Sequence, residues 1–169
     1  MRYQYRREPL LNDEILRLES MCQSALERMV IYTLLDTGLR VSELAHLQRH
    51  NIDFQSHRLA LFGKGNKRRV LKMTPRVRAL LESHYAVSDR FPISRRSIQR
   101  LVRKIANRAA IVRKTCPHVL RHSFSVNCIQ KGISLPTLQL LLGHEDLATT
   151  QIYTNMSPEV ALEEFERKW

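Results

Sequence analysis

Residues 37–44 read TGLRVSEL. The apolar spacing of Ala25–Leu35 predicts a helix, and Thr37-Gly38 stops it, because glycine takes the left-handed backbone that closes a helix. Arg40 then opens a short helix over Val41–Leu47, with Leu44 and Leu47 turned inward. The junction of two helices therefore carries an arginine directly behind a glycine turn.

Upstream, Asn12 or Asp13 caps a helix whose apolar positions are Ile15, Leu16 and Met21. Downstream, residues 51–54, 58–62 and 69–73 read as short strands. The turns between them are Gln55-Ser56-His57 and Gly63-Lys64-Gly65-Asn66. Helical patterns follow over 75–85, 97–110, 119–130, 135–142, 148–153 and 158–168. The expected fold class is mainly α with a small three-stranded antiparallel sheet (α+β). Residues 1–10 read as a basic tail or linker remnant, 11–156 as the folded domain, and 157–169 as an acidic tail helix.

The chain has 169 residues, 43% of them hydrophobic, which suits one domain with its own core and excludes wholesale disorder. No apolar run approaches the roughly 20 residues of a membrane helix, and the N-terminus lacks a signal-peptide pattern, so no membrane partner is expected. Cys22, Cys116 and Cys128 are an odd set without C-x-x-C spacing. They argue against a disulfide scaffold and for a reducing, cytoplasmic setting.

With 28 Lys+Arg against 16 Asp+Glu, the formal charge is +12. Residues 145–169 hold six acids and two bases, a balance of −4, which leaves +16 on residues 1–144. The densest basic stretch, Arg95–Lys114, includes Arg95, Arg96, Arg100, Arg103 and Lys104 and contains no acid. One sign of charge along a helix repels itself unless a polyanion neutralises it, so the stretch reads either as an ordinary basic helix face or as a helix lying along a phosphate backbone, where each contact releases counterions.

Six polar residues sit where a structural role is hard to supply: Arg40, Lys64 at the glycine-flanked hairpin tip, His118 and Arg121 on one helix face, His144 after Gly143, and Tyr153. His118 and His122 share the i, i+4 spacing of zinc helices, but Val119 stands where such helices carry Glu, and Arg121 would set a cation beside the metal. No metal site is expected, and His122 reads as a residue filling space behind His118.

The segments TGLRVSEL (37–44), GKGNKRR (63–69), PHVLRHSF (117–124) and LLGHEDLATTQIYTN (141–155) resemble the catalytic domain of tyrosine recombinases, the phage-integrase and Xer-like family. The resemblance spans about residues 10–165 and implies a site-specific DNA recombinase that needs no cofactor. It makes Arg40, Lys64, His118, Arg121 and His144 the active-site shell and Tyr153 the nucleophile. Glu43 falls on the family's acidic position one turn after the first arginine, and reads as an orienting residue. The position two residues after Tyr153, often His in the family, is Asn155 here.

The chemistry agrees with that assignment. Phosphodiester cleavage passes through a doubly negative phosphorane, which two guanidinium forks stabilise bidentately. Tyr153 attacks phosphorus and stores the bond energy as a 3′-phosphotyrosine. A phenol with an ordinary pKa of about 10 needs a base, the role of His118, and nearby cations. The same assignment has Lys64 protonate the leaving 5′-oxygen and His144 donate to a non-bridging oxygen. Lys67, Arg68 and Arg69 beside Lys64 are read as phosphate contacts.

The resemblance further implies double-stranded DNA as partner, a tetramer on two DNA sites, docking of the tail helix on a neighbouring protomer, and a nucleoid-associated place in the cytoplasm. The family's recombinases usually carry an N-terminal clamping domain. Only about ten residues precede the first helix here, so weak duplex binding and poor site discrimination are expected. A type IB topoisomerase-like relaxing enzyme uses a similar residue set, and a non-catalytic DNA-binding regulator is the alternative outside catalysis. Retention of Tyr153 argues against the regulator.

Overall fold

The computed structural model describes residues 8–62, 68–143 and 158–169, with side chains from 161 in the last helix. Lys64 and Lys67, His144, Tyr153 and the helix expected over 148–153 lie outside the described residues. Helices α1 (Asn12–Ser20), α2 (Ala25–Thr37) and α3 (Val41–Ala45) lead into strands β1 (Ile52–Asp53), β2 (Arg58–Phe62) and β3 (Arg68–Lys72). Helices α4 (Pro75–Tyr85), α5 (Arg95–Arg108), α6 (Pro117–Gln130), α7 (Leu135–Leu142) and α8 (Pro158–Lys168) follow.

Helix α2 is the centre of the molecule. Ser24 caps it by accepting from the Glu27 N–H at 3.1 Å. Met29, Val30, Ile31, Leu34 and Leu35 are all buried, because α1, α4, α5 and α6 pack around it. A helix enclosed on most sides is largely apolar, and the buried polar residues of α2 are Glu27, Thr33, Asp36 and Thr37. Buried Asp36 accepts from Thr74 Oγ1 (2.6 Å), Arg76 Nε (2.7 Å) and Arg76 Nη2 (2.5 Å), which ties α2 to the start of α4. Arg76 also lies 4.2 Å over the Tyr32 ring.

The sheet runs in the order β1-β2-β3, antiparallel throughout. In the β2–β3 register, Leu59 faces Leu71 and Leu61 faces Arg69. Side chains alternate along a strand, so Arg69 and Leu71 share the core-facing side with Leu59 and Leu61.

Helix α1 presents a different face from the one expected. Leu16 and Met21 are exposed, while Leu18 and Glu14 are buried. Glu14 accepts from the Leu11 N–H at 2.8 Å and pairs with Arg113 at 3.0 Å, so a carboxylate rather than an apolar side chain fills the inner position.

Helix α8 packs on its own chain, against α7 and β3. Leu162 and Phe165 are buried, and Trp169 stacks on Phe165 with ring centres 5.1 Å apart. Both rings also reach Phe124 of α6, at 6.2 and 5.5 Å. Glu164 does not face solvent: it accepts from the Ser134 N–H (2.9 Å), Ser134 Oγ (2.8 Å) and Thr137 Oγ1, at the N-terminus of α7.

Candidate active site

The end of α2 sets the geometry. Gly38 has φ +61°, and a Cβ there would collide with the Phe124 ring and crowd Leu142. The turn delivers Arg40 to the N-cap of α3 with extended backbone. Glu43, one turn on, accepts from the Arg40 N–H at 2.6 Å and from its Nη1 at 3.0 Å. The same carboxylate accepts from Arg69 Nη2 at 2.7 Å.

Arg121 arrives from α6, whose first turn is opened by Pro117. Its guanidinium is buried and donates from Nη1 to the Gly38 carbonyl and from Nη2 to the Leu142 carbonyl at 2.8 Å. Arg69 Nη1 donates to that same Leu142 oxygen at 2.9 Å, and Arg40 Nη2 reaches the Gly143 carbonyl at 3.4 Å. Three guanidiniums from three elements thus share the open C-terminal carbonyls of α7, where the helix dipole is negative.

Among the described residues the charges do not balance. Glu43 faces Arg40, Arg69 and Arg121. Burial, reinforced by the neighbouring Arg40 and Arg69, pushes the Arg121 guanidinium down to about 10, still charged at neutral pH. Arg69 is lowered as well, by burial and by Arg40, against the pull of Glu43. A cluster with this surplus of positive charge, held in place before any ligand arrives, suits an anion such as a phosphodiester.

His118 lies one turn before Arg121 at the start of α6 and is exposed. His122 is exposed as well, so it does not fill space behind His118. Among the described residues no group of three or more His, Cys, Asp or Glu gathers.

On α5, buried Ile98, Val102, Ile105 and Ala106 turn inward, and Arg95, Arg96, Arg100, Arg103 and Lys104 are exposed on the other side. The end of the basic run has another use, since Arg108 pairs with Glu27 at 2.6 Å and Arg113 with Glu14. Arg68 is exposed on β3, whereas Arg69 is turned into the protein with its side chain 10% exposed. Helix α5 packs against α3, the helix that Arg40 caps.

The sequence profile of the phage integrase family matches residues 9–159. The chain belongs to the phage integrase family. A Chlamydia trachomatis (serovar L2) relative in this family, tyrosine recombinase XerC, is 34% identical over 147 residues, covering 78% of this chain and 47% of the relative. Tyrosine recombinase XerD of Staphylococcus aureus (strain N315) is 31% identical over 148 residues, covering 78% and 50%. The chain thus spans about half the length of the curated relatives it matches. Among solved integrase-family structures, the integrase of mycobacterium phage Brujita superposes with a TM-score of 0.81 at 26% identity, over 96% of this chain and 58% of that one. XerA recombinase gives 0.75 at 29%, over 94% and 62%. XerH recombinase, solved on its difH substrate before cleavage, gives 0.71 at 25%, over 90% and 51%. The helical fold with its small antiparallel sheet is that of these recombinases' catalytic domains.

The backbone carbonyls of Gly38, Leu142 and Gly143 had no signal as acceptors in a sequence of side chains. Arg69 did have one: it alternates with Leu71 on a strand whose inner face is apolar, which marks it as inward.

Proposed function

We propose that the chain is the catalytic domain of a site-specific recombinase, cutting and rejoining duplex DNA by transesterification. The convergence of Arg40 and Arg121 on one anion-ready cluster, in a member of the phage integrase family, carries this reading. The two forks hold the non-bridging oxygens of the scissile phosphate and stabilise the phosphorane. Tyr153 attacks phosphorus, the P–O5′ bond breaks, and a 3′-phosphotyrosine forms. His118 takes the phenolic proton and Lys64 delivers one to the leaving 5′-oxygen. His144 donates to a non-bridging oxygen, and a partner 5′-hydroxyl reverses the sequence to rejoin the strand. These groups supply by positioned charge what a divalent metal supplies elsewhere.

The exposed bases Arg95, Arg96, Arg100, Arg103 and Lys104 contact the backbone of the duplex, joined by Lys67 and Arg68. Recombination joins two sites, so the active assembly is four copies on two duplexes, within the nucleoid of the cytoplasm. Docking of residues 157–169 on a neighbouring protomer requires α8 to leave Phe124 first.

The test is a pool of nicked duplexes randomised around the nick, so that cleavage releases a short fragment and traps the enzyme. An adduct resistant to detergent, present for the intact chain and absent in Tyr153→Phe, is the expected result. Binding without any adduct would favour the regulator instead.

A further inference from the structure

Arg69 belongs to the basic run Lys67-Arg68-Arg69, whose simplest use is to touch phosphate. Its placement is otherwise. The side chain is 10% exposed, and two of its nitrogens are already committed, Nη2 to Glu43 Oε2 at 2.7 Å and Nη1 to the Leu142 carbonyl at 2.9 Å. Its Nε is buried without an acceptor among the described residues. Burying a guanidinium and orphaning one donor is costly, so the contacts it makes must serve something besides general stability. The stem packs against Gly143, where a Cβ would come within 2.9 Å of Nη1. Gly143 thus leaves the space that Arg69 occupies.

The acceptors show what Arg69 serves. Glu43 holds the Arg40 backbone and guanidinium, and the Leu142 carbonyl is also bound by Arg121. Among the described residues, Arg69 is therefore the one side chain in this cluster that touches both the carboxylate behind Arg40 and the carbonyl behind Arg121. We infer that Arg69 is a positioning residue, which fixes the separation of the two phosphate-binding arginines by bridging Glu43 and the end of α7, and is not a DNA contact. This rests on the recombinase reading above. A planar fork spans the two acceptors; a lysine amine keeps the charge but reaches them only one at a time.

The test compares Arg69→Lys, Arg69→Ala and Glu43→Gln with the parent chain on the randomised nicked duplexes. The readouts are the rate of adduct formation at saturating DNA, and the slope of log affinity against log salt on a fluorescein-labelled duplex. Melting curves confirm folding, and Arg69→Lys carries the test should Arg69→Ala not fold. The expected result is a loss of about ten- to a hundred-fold in adduct rate for Arg69→Lys, as for a small misplacement of a catalytic group. Its salt slope stays that of the parent. Combined with Glu43→Gln, the losses fall well short of multiplying, because both changes undo one linkage. An Arg69→Lys chain that cleaves at the parental rate would overturn the inference. So would a salt slope for Arg69→Ala lower by about 0.9, the signature of one lost phosphate contact. If the parent chain forms no adduct at all, the recombinase reading fails first, and the inference with it.

Discussion

Replacing Gly38 by alanine tests whether the turn ahead of Arg40 is as tightly specified as the geometry says. The backbone there has φ +61°, which costs an L-residue with a Cβ about 1–2 kcal/mol. The new methyl would meet the Phe124 ring and stand 3.1 Å from Leu142 Cδ2, between two side chains that are themselves buried. Overpacking of that kind costs about 1–3 kcal/mol. Stiffening the unfolded chain returns about 0.4–1 kcal/mol. The net expectation is a loss of about 2–4 kcal/mol, or roughly 5–15 °C in melting temperature for a chain of this size. Urea titration should show the midpoint falling at unchanged slope. Since the Gly38 carbonyl accepts from Arg121, the folded variant should also form the DNA adduct more slowly than the parent. A loss below about 1 kcal/mol with a normal adduct rate would refute the reasoning, because it would mean that neither the ring nor the backbone resists the methyl.

Arg40→Lys keeps the charge but loses the fork, and its side chain is 43% exposed, so folding should hardly change. Single-turnover adduct formation should fall by about 10²–10³, as for loss of a transition-state donor. Asp36→Asn removes the carboxylate that three donors share in the core, and should cost about 3–5 kcal/mol in urea while leaving the salt slope of DNA binding unchanged. Burial works to raise Glu164, but the bonds from Thr137, Ser134 and Lys168 outweigh it and hold the carboxyl at about 2 against an ordinary 4.5. A depressed folded value stabilises above the unfolded one and is lost as pH falls, so the parent should weaken between about pH 4.5 and 2. Glu164→Gln should be less stable at neutral pH and show a shallower loss across that window when melting temperature is followed against pH.

Much of the fold was legible because the chain punctuates itself. Pro75 opens α4, and Gly143 ends α7, each where start and stop residues demand it. The junction at Gly38 and Arg40 was equally plain, since a left-handed turn and a cap both have sequence signatures. The inner face of α1 was not: a carboxylate, Glu14, takes a place that hydropathy assigns to Leu16 or Met21, and only its partners Leu11 and Arg113 explain it. The burial of Arg69 was hidden for a related reason. Its neighbours in sequence are basic, but its neighbours in space are Glu43 and a helix end. The convergence of Arg40 and Arg121 on α7 depends on carbonyls, which carry no residue letter.

On the recombinase reading, the Leu142 oxygen, gripped at once by Arg69 and Arg121, prepares the site for its phosphate. The helix end stands in for the substrate's negative charge, holding the Arg121 fork directly and the Arg40 fork through Arg69 and Glu43. Their rotamer freedom was surrendered during folding and need not be surrendered again when DNA arrives. On that reading, an incoming phosphate meets a receptor already set to its shape.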